Sequence, residues 1–295
     1  MKLAGAPISW GVSELPDWGY RMLPERVLGE MRALGLHATE LGPPGFLPSE
    51  TAELRDMLAR HGLRLAAGFL AAVLHEAAEQ ALEAIRRHAD GLVAAGADVL
   101  VLAAALPGDS YDRHERLSDA AWSALVESLR AADQEVSKRG LTLAFHPHAG
   151  TAIERAEDVS RLIETSDVGL CLDTGHLFLG GADPVGVLHA AGARVRHVHL
   201  KDVAKPIAER VRSGRLPYAA AVRSGLYRPL GQGDLDIAAV VQRLNASGYE
   251  GWYVLEQDTV LTAKPGPHGG PADSVRRSLE YFESISSAKR SASTT

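Results

Sequence analysis

The sequence predicts a (β/α)8 barrel, and three observations carry that reading. Short apolar runs alternate with longer amphipathic segments eight times, glycines separate many of those segments from the next run, and the turn after the first run lacks a dinucleotide-type glycine pattern. The runs span 3–10, 36–41, 63–70, 98–105, 141–146, 168–173, 195–200 and 251–256. Each is nearly continuous in apolar residues, as expected of parallel strands covered on both faces.

The first run, LAGAPISW, leads into PISWGVSELP, where a doubly wound open sheet would carry GxGxxG. The helical segments follow in order: LPERVLGEMRALG before the second run, SETAELRDMLARHG before the third, EQALEAIRRHADGLVAAG before the fourth and SDAAWSALVESLRAADQEVSKRG before the fifth. Gly35, Gly62, Gly96, Gly140, Gly192 and Gly248 stand where a left-handed cap ends a helix, a conformation that suits a residue without Cβ. Irregular stretches at 202–236, expected to include a short helix, and at 257–272 follow the last two runs, the side of a barrel that carries substrate loops. No internal boundary is visible. One domain is expected over 1–285, with a polar, small-residue tail over 286–295 expected to be disordered.

Bulk properties narrow the function. Lys and Arg total 31 against 37 Asp and Glu, a net charge of −6, which argues against a nucleic-acid or anionic-membrane surface. The single cysteine, Cys171, permits neither an intrachain disulfide nor a thiolate zinc cage, and fits a reducing, cytoplasmic setting. The amino terminus lacks a secretory apolar region, and no apolar run approaches the roughly 18 residues of a membrane span.

In a barrel the strand ends converge on one mouth. Here they carry Glu40, His146 and His148, Asp173 and His176, His197 and His199, and Glu256. Buried carboxylates are costly unless paired or bound to a cation, so this gathering predicts a divalent metal held by His146, Asp173, His199 and Glu256. Period-two geometry gives His197 and His199 one face, with His199 nearer the mouth and His197 a layer below. His146 and His148 likewise share a face, with Pro147 between them. A strand-terminal Asp173 is also a natural cap for the helix that follows. The mixed nitrogen and oxygen set favours manganese or cobalt, with zinc, iron and magnesium as further candidates.

The eight-run pattern with Asp173, His199 and Glu256 at strand ends resembles the xylose-isomerase-like barrels of the sugar phosphate isomerase/epimerase superfamily over nearly the whole chain. PISW (7–10), TELG (39–42), HPHAGT (146–151), LDTGHLF (172–178), HVHLKDV (197–203), GQGDLD (231–236) and GYEGWYVLEQD (248–258) resemble the inosose dehydratase subgroup in order and spacing. In the epimerases and isomerases of the superfamily the fifth-strand ligand is a glutamate. His146 stands in that place here, as in the dehydratase subgroup. The chain departs from that subgroup in HPH, where a three-histidine run is expected, in LEQD, where a longer acidic run is expected, and in AAALPG, which lacks an acidic residue.

The resemblance implies a metal-dependent dehydratase of a keto-cyclitol such as 2-keto-myo-inositol, working through an enolate, and a dimer or tetramer. The alternative is an isomerase or epimerase of a keto-sugar. An endonuclease-IV-type enzyme and a degenerate binding barrel are less consistent with the acidic charge and the full set of ligands. His148, His176 and Glu256 are candidate bases, and Lys201 is a candidate hydrogen-bond donor to substrate. Trp10, Phe69, Glu40 and Arg228 are candidate substrate contacts. GQGDLD reads as a turn followed by an aspartate cap, and no glycine-rich phosphate cradle with a lysine is present.

Overall fold

The computed structural model describes residues 1–108, 111–266 and 270–287. Its strands are β1 (Lys2–Gly5), β2 (Ala38–Glu40), β3 (Arg64–Ala72), β4 (Val99–Ala104), β5 (Thr142–Phe145), β6 (Leu170–Asp173), β7 (Val195–Leu200), β8 (Asp202–Val203), β9 (Tyr227–Arg228) and β10 (Trp252–Leu255). Parallel pairing closes a barrel in the order β1, β10, β7, β6, β5, β4, β3, β2. Helices α1 (Pro24–Ala33), α2 (Thr51–Arg60), α3 (Ala78–Ala95), α4 (Asp119–Ser137), α5 (Ala156–Thr165), α6 (Thr174–Leu179) and α7 (Pro184–Ala191) follow the first six strands. Between β7 and β10 lie α8 (Lys205–Arg212), α9 (Tyr218–Arg223) and α10 (Ile237–Ala246), and α11 (Pro271–Ser287) closes the chain. Among the described residues, no helix is long and apolar enough to cross a membrane.

Side-chain alternation divides the core. Leu143, Phe145, Leu170, Leu172, Val198, Leu200 and Leu255 pack in the layer between strands and helices. Small residues such as Ala4, Ala38, Ala67, Ala144 and Cys171 fill the barrel interior. Because the period is two, continuing the interior face of β5, β6, β7 and β10 brings His146, Asp173, His199 and Glu256 inward at the mouth. The sequence pattern thus places the polar residues by the same rule that places the apolar ones.

Three expectations are refined. The first run forms a strand only to Gly5, because Pro7 starts a 3-10 helix over Pro7–Trp10. The stretch after β7 holds two short helices, α8 and α9, tied down by the antiparallel pair β8 and β9. Ser286 and Ser287 end α11, while residues 288–295 of the expected tail lie outside the described residues.

GQGDLD does more than turn. The buried Asp202 carboxylate accepts hydrogen bonds from the backbone of Gly231, Gly233 and Leu235 at 2.9–3.1 Å, pinning this loop to the end of β7. Asp236 then caps α10 by accepting from Ala239 N at 2.9 Å, as the sequence predicts.

The loop after β5 contains a second carboxyl held against its preference. Glu154 Oε2 accepts from Gly150 N at 3.2 Å, and burial pushes its carboxyl up to about 7 from the ordinary 4.5. The folded state therefore binds this proton more tightly than the unfolded chain. That contribution is complete below about 4.5 and lost as the pH rises through about 7. Glu154→Gln keeps an acceptor for Gly150 without a charge to bury. It is expected to add about 1–3 kcal/mol of stability at pH 8 and almost none at pH 5. Melting curves at the two pH values check this, and an equal effect at both would rule out the charge as its origin.

Candidate active site and metal centre

Asp173 ends β6 and begins α6, and its two oxygens divide the work. Oδ1 accepts from Gly175 N at 2.9 Å and His176 N at 2.8 Å, capping the helix. Oδ2 is left facing the mouth with no hydrogen-bond partner. The helix-cap reading holds at Oδ1, and Oδ2 is the oxygen that remains available as a ligand atom. Asp173 also pairs in register with His199 on the neighbouring β7.

Three donor atoms converge there. His199 Nδ1 lies 2.9 Å from Glu256 Oε2 and 3.5 Å from Asp173 Oδ2, and all three atoms are buried without hydrogen-bond partners. Their ligand atoms lie within 4.8 Å of one another, close enough to hold one ion. Such a set of orphaned lone pairs fits a divalent metal with open coordination positions. His146 stands beside this trio, its Nε2 3.6 Å from Asp173 Oδ2, and forms further metal-competent groups with Cys171 and His199 and with His148 and His176. Burial opposes the charge of Glu256, but Lys201 and His199 outweigh it and hold the carboxyl at about 2. Burial likewise opposes the His199 charge, while the carboxylates of Glu256, Glu40 and Asp173 around the ring favour it and raise that imidazole above its ordinary range.

Lys201 is the hub of the charged groups beside this trio. Its ammonium is 1 % exposed and lies 2.8 Å from Glu256 Oε1, 3.0 Å from Asp258 Oδ1 and 3.4 Å from Asp173 Oδ2. It also donates to His176 Nε2 at 3.0 Å. The pairing is with the mouth carboxylates and not with the adjacent Asp202, whose oxygens are taken by the GQGDLD loop. Burial works against the ammonium, yet Asp173, Asp258 and Glu256 raise it well above the usual lysine range.

His148 faces the cavity with a defined tautomer. Its Nδ1 donates to Ala149 O at 2.9 Å, which leaves Nε2 with a free lone pair, and burial lowers the imidazole so that it stays neutral. His176 packs behind it, ring centroids 3.8 Å apart, and is not part of the cavity lining.

The cavity has a volume of about 570 Å³. Its lining combines apolar residues, among them Ile8, Val12, Trp18, Pro43 and Phe69, with the polar His148, Lys201, Glu256 and Asp258, and the Phe69 ring lies 5.8 Å from that of His148. Phe69 therefore stands where the sequence expects it. Two other expected contacts do not. Trp10 is fully buried among the outer core residues and its Nε1 donates to Glu30 Oε2 at 2.8 Å, because the 3-10 helix turns the indole toward α1. Arg228 lies exposed on β9, away from the lining. Glu40 lines the cavity, but its Oε1 is engaged by two imidazoles.

Other residues enter the site without having been singled out. Tyr218 donates to Asp258 Oδ2 at 2.5 Å, and Tyr111, hydrogen-bonded to Glu14, stacks on Tyr218 at 5.1 Å and roofs the mouth. Asp258 shares the face of Glu256 two residues earlier, so strand spacing was a usable signal for it. Tyr111 sits in a turn and Tyr218 opens the six-residue α9, both in stretches too short or irregular for periodicity to indicate direction.

Residues 28–285 match the family described as xylose isomerase-like TIM barrel. The chain belongs to this family. It is 33% identical over 269 residues to an inosose dehydratase of Geobacillus thermodenitrificans, covering 88% of this chain and 90% of that protein. It is 34% identical over 267 residues to the rhizopine catabolism protein MocC of Rhizobium meliloti, covering 88% and 82%. Among solved structures, the IOLI protein with a bound zinc atom superposes with a TM-score of 0.71 at 15% identity, covering 97% of this chain and 98% of that one. The chain is thus a sugar isomerase/epimerase-like enzyme by family, with buried clusters suited to a divalent metal.

Within this barrel, Gly175 of the DTGH segment has a steric purpose. A Cβ there would come within 2.6 Å of Lys201 Cβ and 3.0 Å of the Tyr227 ring. Gly175→Ala is expected to lower stability by about 1–3 kcal/mol through overpacking, measured as a shifted denaturant midpoint. An unchanged midpoint would mean that α6 and β7 have slack at this contact.

Proposed function

We propose that this protein is a metal-dependent dehydratase of a keto-cyclitol such as 2-keto-myo-inositol. The observation that carries the reading is the convergence of three unpartnered ligand atoms, Asp173 Oδ2, His199 Nδ1 and Glu256 Oε2, at a cavity lined by His199 and Glu256 together with His148, Lys201 and apolar side chains. The inosose dehydratases that share about a third of its residues over most of the chain support the choice of substrate. His146 completes the proposed ligand set, and manganese or cobalt is the proposed ion, with zinc, iron or magnesium as substitutes. A cation held by these residues would supply Lewis-acid stabilisation of the negative charge that develops on the ketone oxygen.

The chain's own residues do the rest. The apolar side chains around Phe69 take the C–H face of the ring. His148 Nε2, neutral and presented by the Nδ1–H contact with Ala149, removes the proton α to the ketone. Glu256 is the weaker candidate for this step, because Lys201 and His199 already hold it at about 2. His176 is screened by His148 and occupied by Lys201. The electron pair of the C–H bond forms the enolate, with negative charge on the former ketone oxygen; the enolate then re-forms the carbonyl, its carbon–carbon pair moves to make the α,β C=C bond, and the β C–O bond breaks with its pair. The protonated His148 returns its proton to the departing hydroxyl, which leaves as water, and the remaining enol ketonises to the dione. Lys201, held by three carboxylates, donates a hydrogen bond to the enolate or a neighbouring hydroxyl. In an isomerase or epimerase the same proton would return to carbon and no water would be lost.

Proton NMR of 2-keto-myo-inositol with manganese- or cobalt-loaded protein in D2O, the metal chelated before acquisition, is expected to show the dehydrated dione. Deuterium uptake or a new epimer without water loss would replace the dehydratase by the isomerase reading. Glu256→Gln is expected to lose metal on dialysis and to lose turnover by more than the roughly 10–100-fold typical of removing a supporting hydrogen bond, with the circular dichroism of the fold retained. Undiminished turnover would remove Glu256 from the centre.

A further inference from the structure

Glu40 lies on β2, and β1 and β10 stand between it and β7 in the barrel order. Its carboxylate nevertheless reaches β7 through the interior, where Oε1 lies 2.9 Å from His197 Nε2 and 3.1 Å from His199 Nε2. A register irregularity aims it there. Thr39 pairs with Leu65 but Glu40 pairs with Ala67, an extra residue on β3 of the kind that redirects a side chain next to an active site. Glu40 is 7 % exposed, and although it lines the cavity, its Oε1 is engaged inside the barrel.

A carboxylate only accepts hydrogen bonds, so both Nε2 atoms must carry their protons. For His199 this settles which nitrogen is available. With a proton on Nε2, the neutral ring presents a lone pair on Nδ1, the atom that faces Asp173 Oδ2 and Glu256 Oε2 without a partner. The opposite tautomer would set the Nε2 lone pair against Glu40 Oε1 at 3.1 Å and a proton toward the cation position. His197, bonded to the same oxygen, keeps the carboxylate from swinging into the cavity.

We propose that Glu40 is a positioning residue for the metal centre: reached across the barrel from β2, it fixes the His199 tautomer and ring orientation that offer Nδ1 to the cation, with His197 as its anchor. This inference rests on the metal-centre reading of the proposed function, and it replaces the expectation that Glu40 binds substrate.

The test compares wild type, Glu40→Gln and Glu40→Ala. Zinc dissociation constants are measured by chelator competition, and KM for 2-keto-myo-inositol is measured at saturating cobalt. Glu40→Gln keeps a neutral acceptor and should fold even if Glu40→Ala, which strands two buried N–H groups, does not. The expected result is a zinc affinity about 10–100-fold weaker in Glu40→Gln, with KM near the wild-type value once metal saturates, and a downfield His199 Nε2–H proton in the NMR spectrum of zinc-loaded wild type. Wild-type zinc affinity in Glu40→Gln together with a raised KM would overturn the inference and restore a substrate contact. Absence of that proton would overturn the tautomer assignment. A wild-type protein that binds no zinc, cobalt or manganese would overturn the metal centre itself, and this inference with it.

Discussion

The mouth of this barrel is organised by the need to accommodate four carboxylates where little water reaches them. Glu40, Asp173, Glu256 and Asp258 are all largely buried, and each would cost several kcal/mol if left without partners. Each has its own partners: Glu40 two imidazoles, Asp173 the first turn of α6 and Lys201, Glu256 Lys201, and Asp258 Lys201 and Tyr218. One ammonium therefore ties three of the four together. The compensation is incomplete at Asp173 Oδ2, Glu256 Oε2 and His199 Nδ1, and the incomplete atoms meet at a single position.

The surrounding architecture is explicable as support for that arrangement. Gly175 allows α6 to approach Lys201 closely enough for Thr174 Oγ1 to accept from Lys201 N at 2.8 Å and to donate to Lys201 O at 2.7 Å. The segment between β7 and β10 delivers Tyr218 to Asp258, and Asp202 holds the far end of that segment in place. Rigid strands thus carry the metal-competent atoms, while loops carry the roof and the hydroxyl groups. Barrel closure fixes the strand ends, whereas the loops that follow them are free to vary.

Much of this was legible in the sequence, for reasons that can be traced. Asp173, His199 and Glu256 were identifiable because each terminates an apolar run, and a barrel requires the ends of its runs to converge. His148 was identifiable as the neighbour of His146 on one face. Trp10 was misplaced because Pro7 converts the end of the first run into a 3-10 helix, which redirects the indole to Glu30. Arg228 was misplaced because its segment folds as a strand pair whose register leaves that residue outward.

What the sequence by itself determined is the set of strand ends, since hydrophobic period is a local property and barrel closure turns it into a list of inward-facing residues. Only the tertiary structure decided which atoms of those residues are already occupied. The two oxygens of Asp173 and the two nitrogens of His199 are equivalent in sequence, yet one of each is bound within the protein and the other is free. That distinction arises from contacts between β2 and β7, and between the end of β6 and its own helix. It depends on distances of a few tenths of an ångström that no one-dimensional pattern encodes.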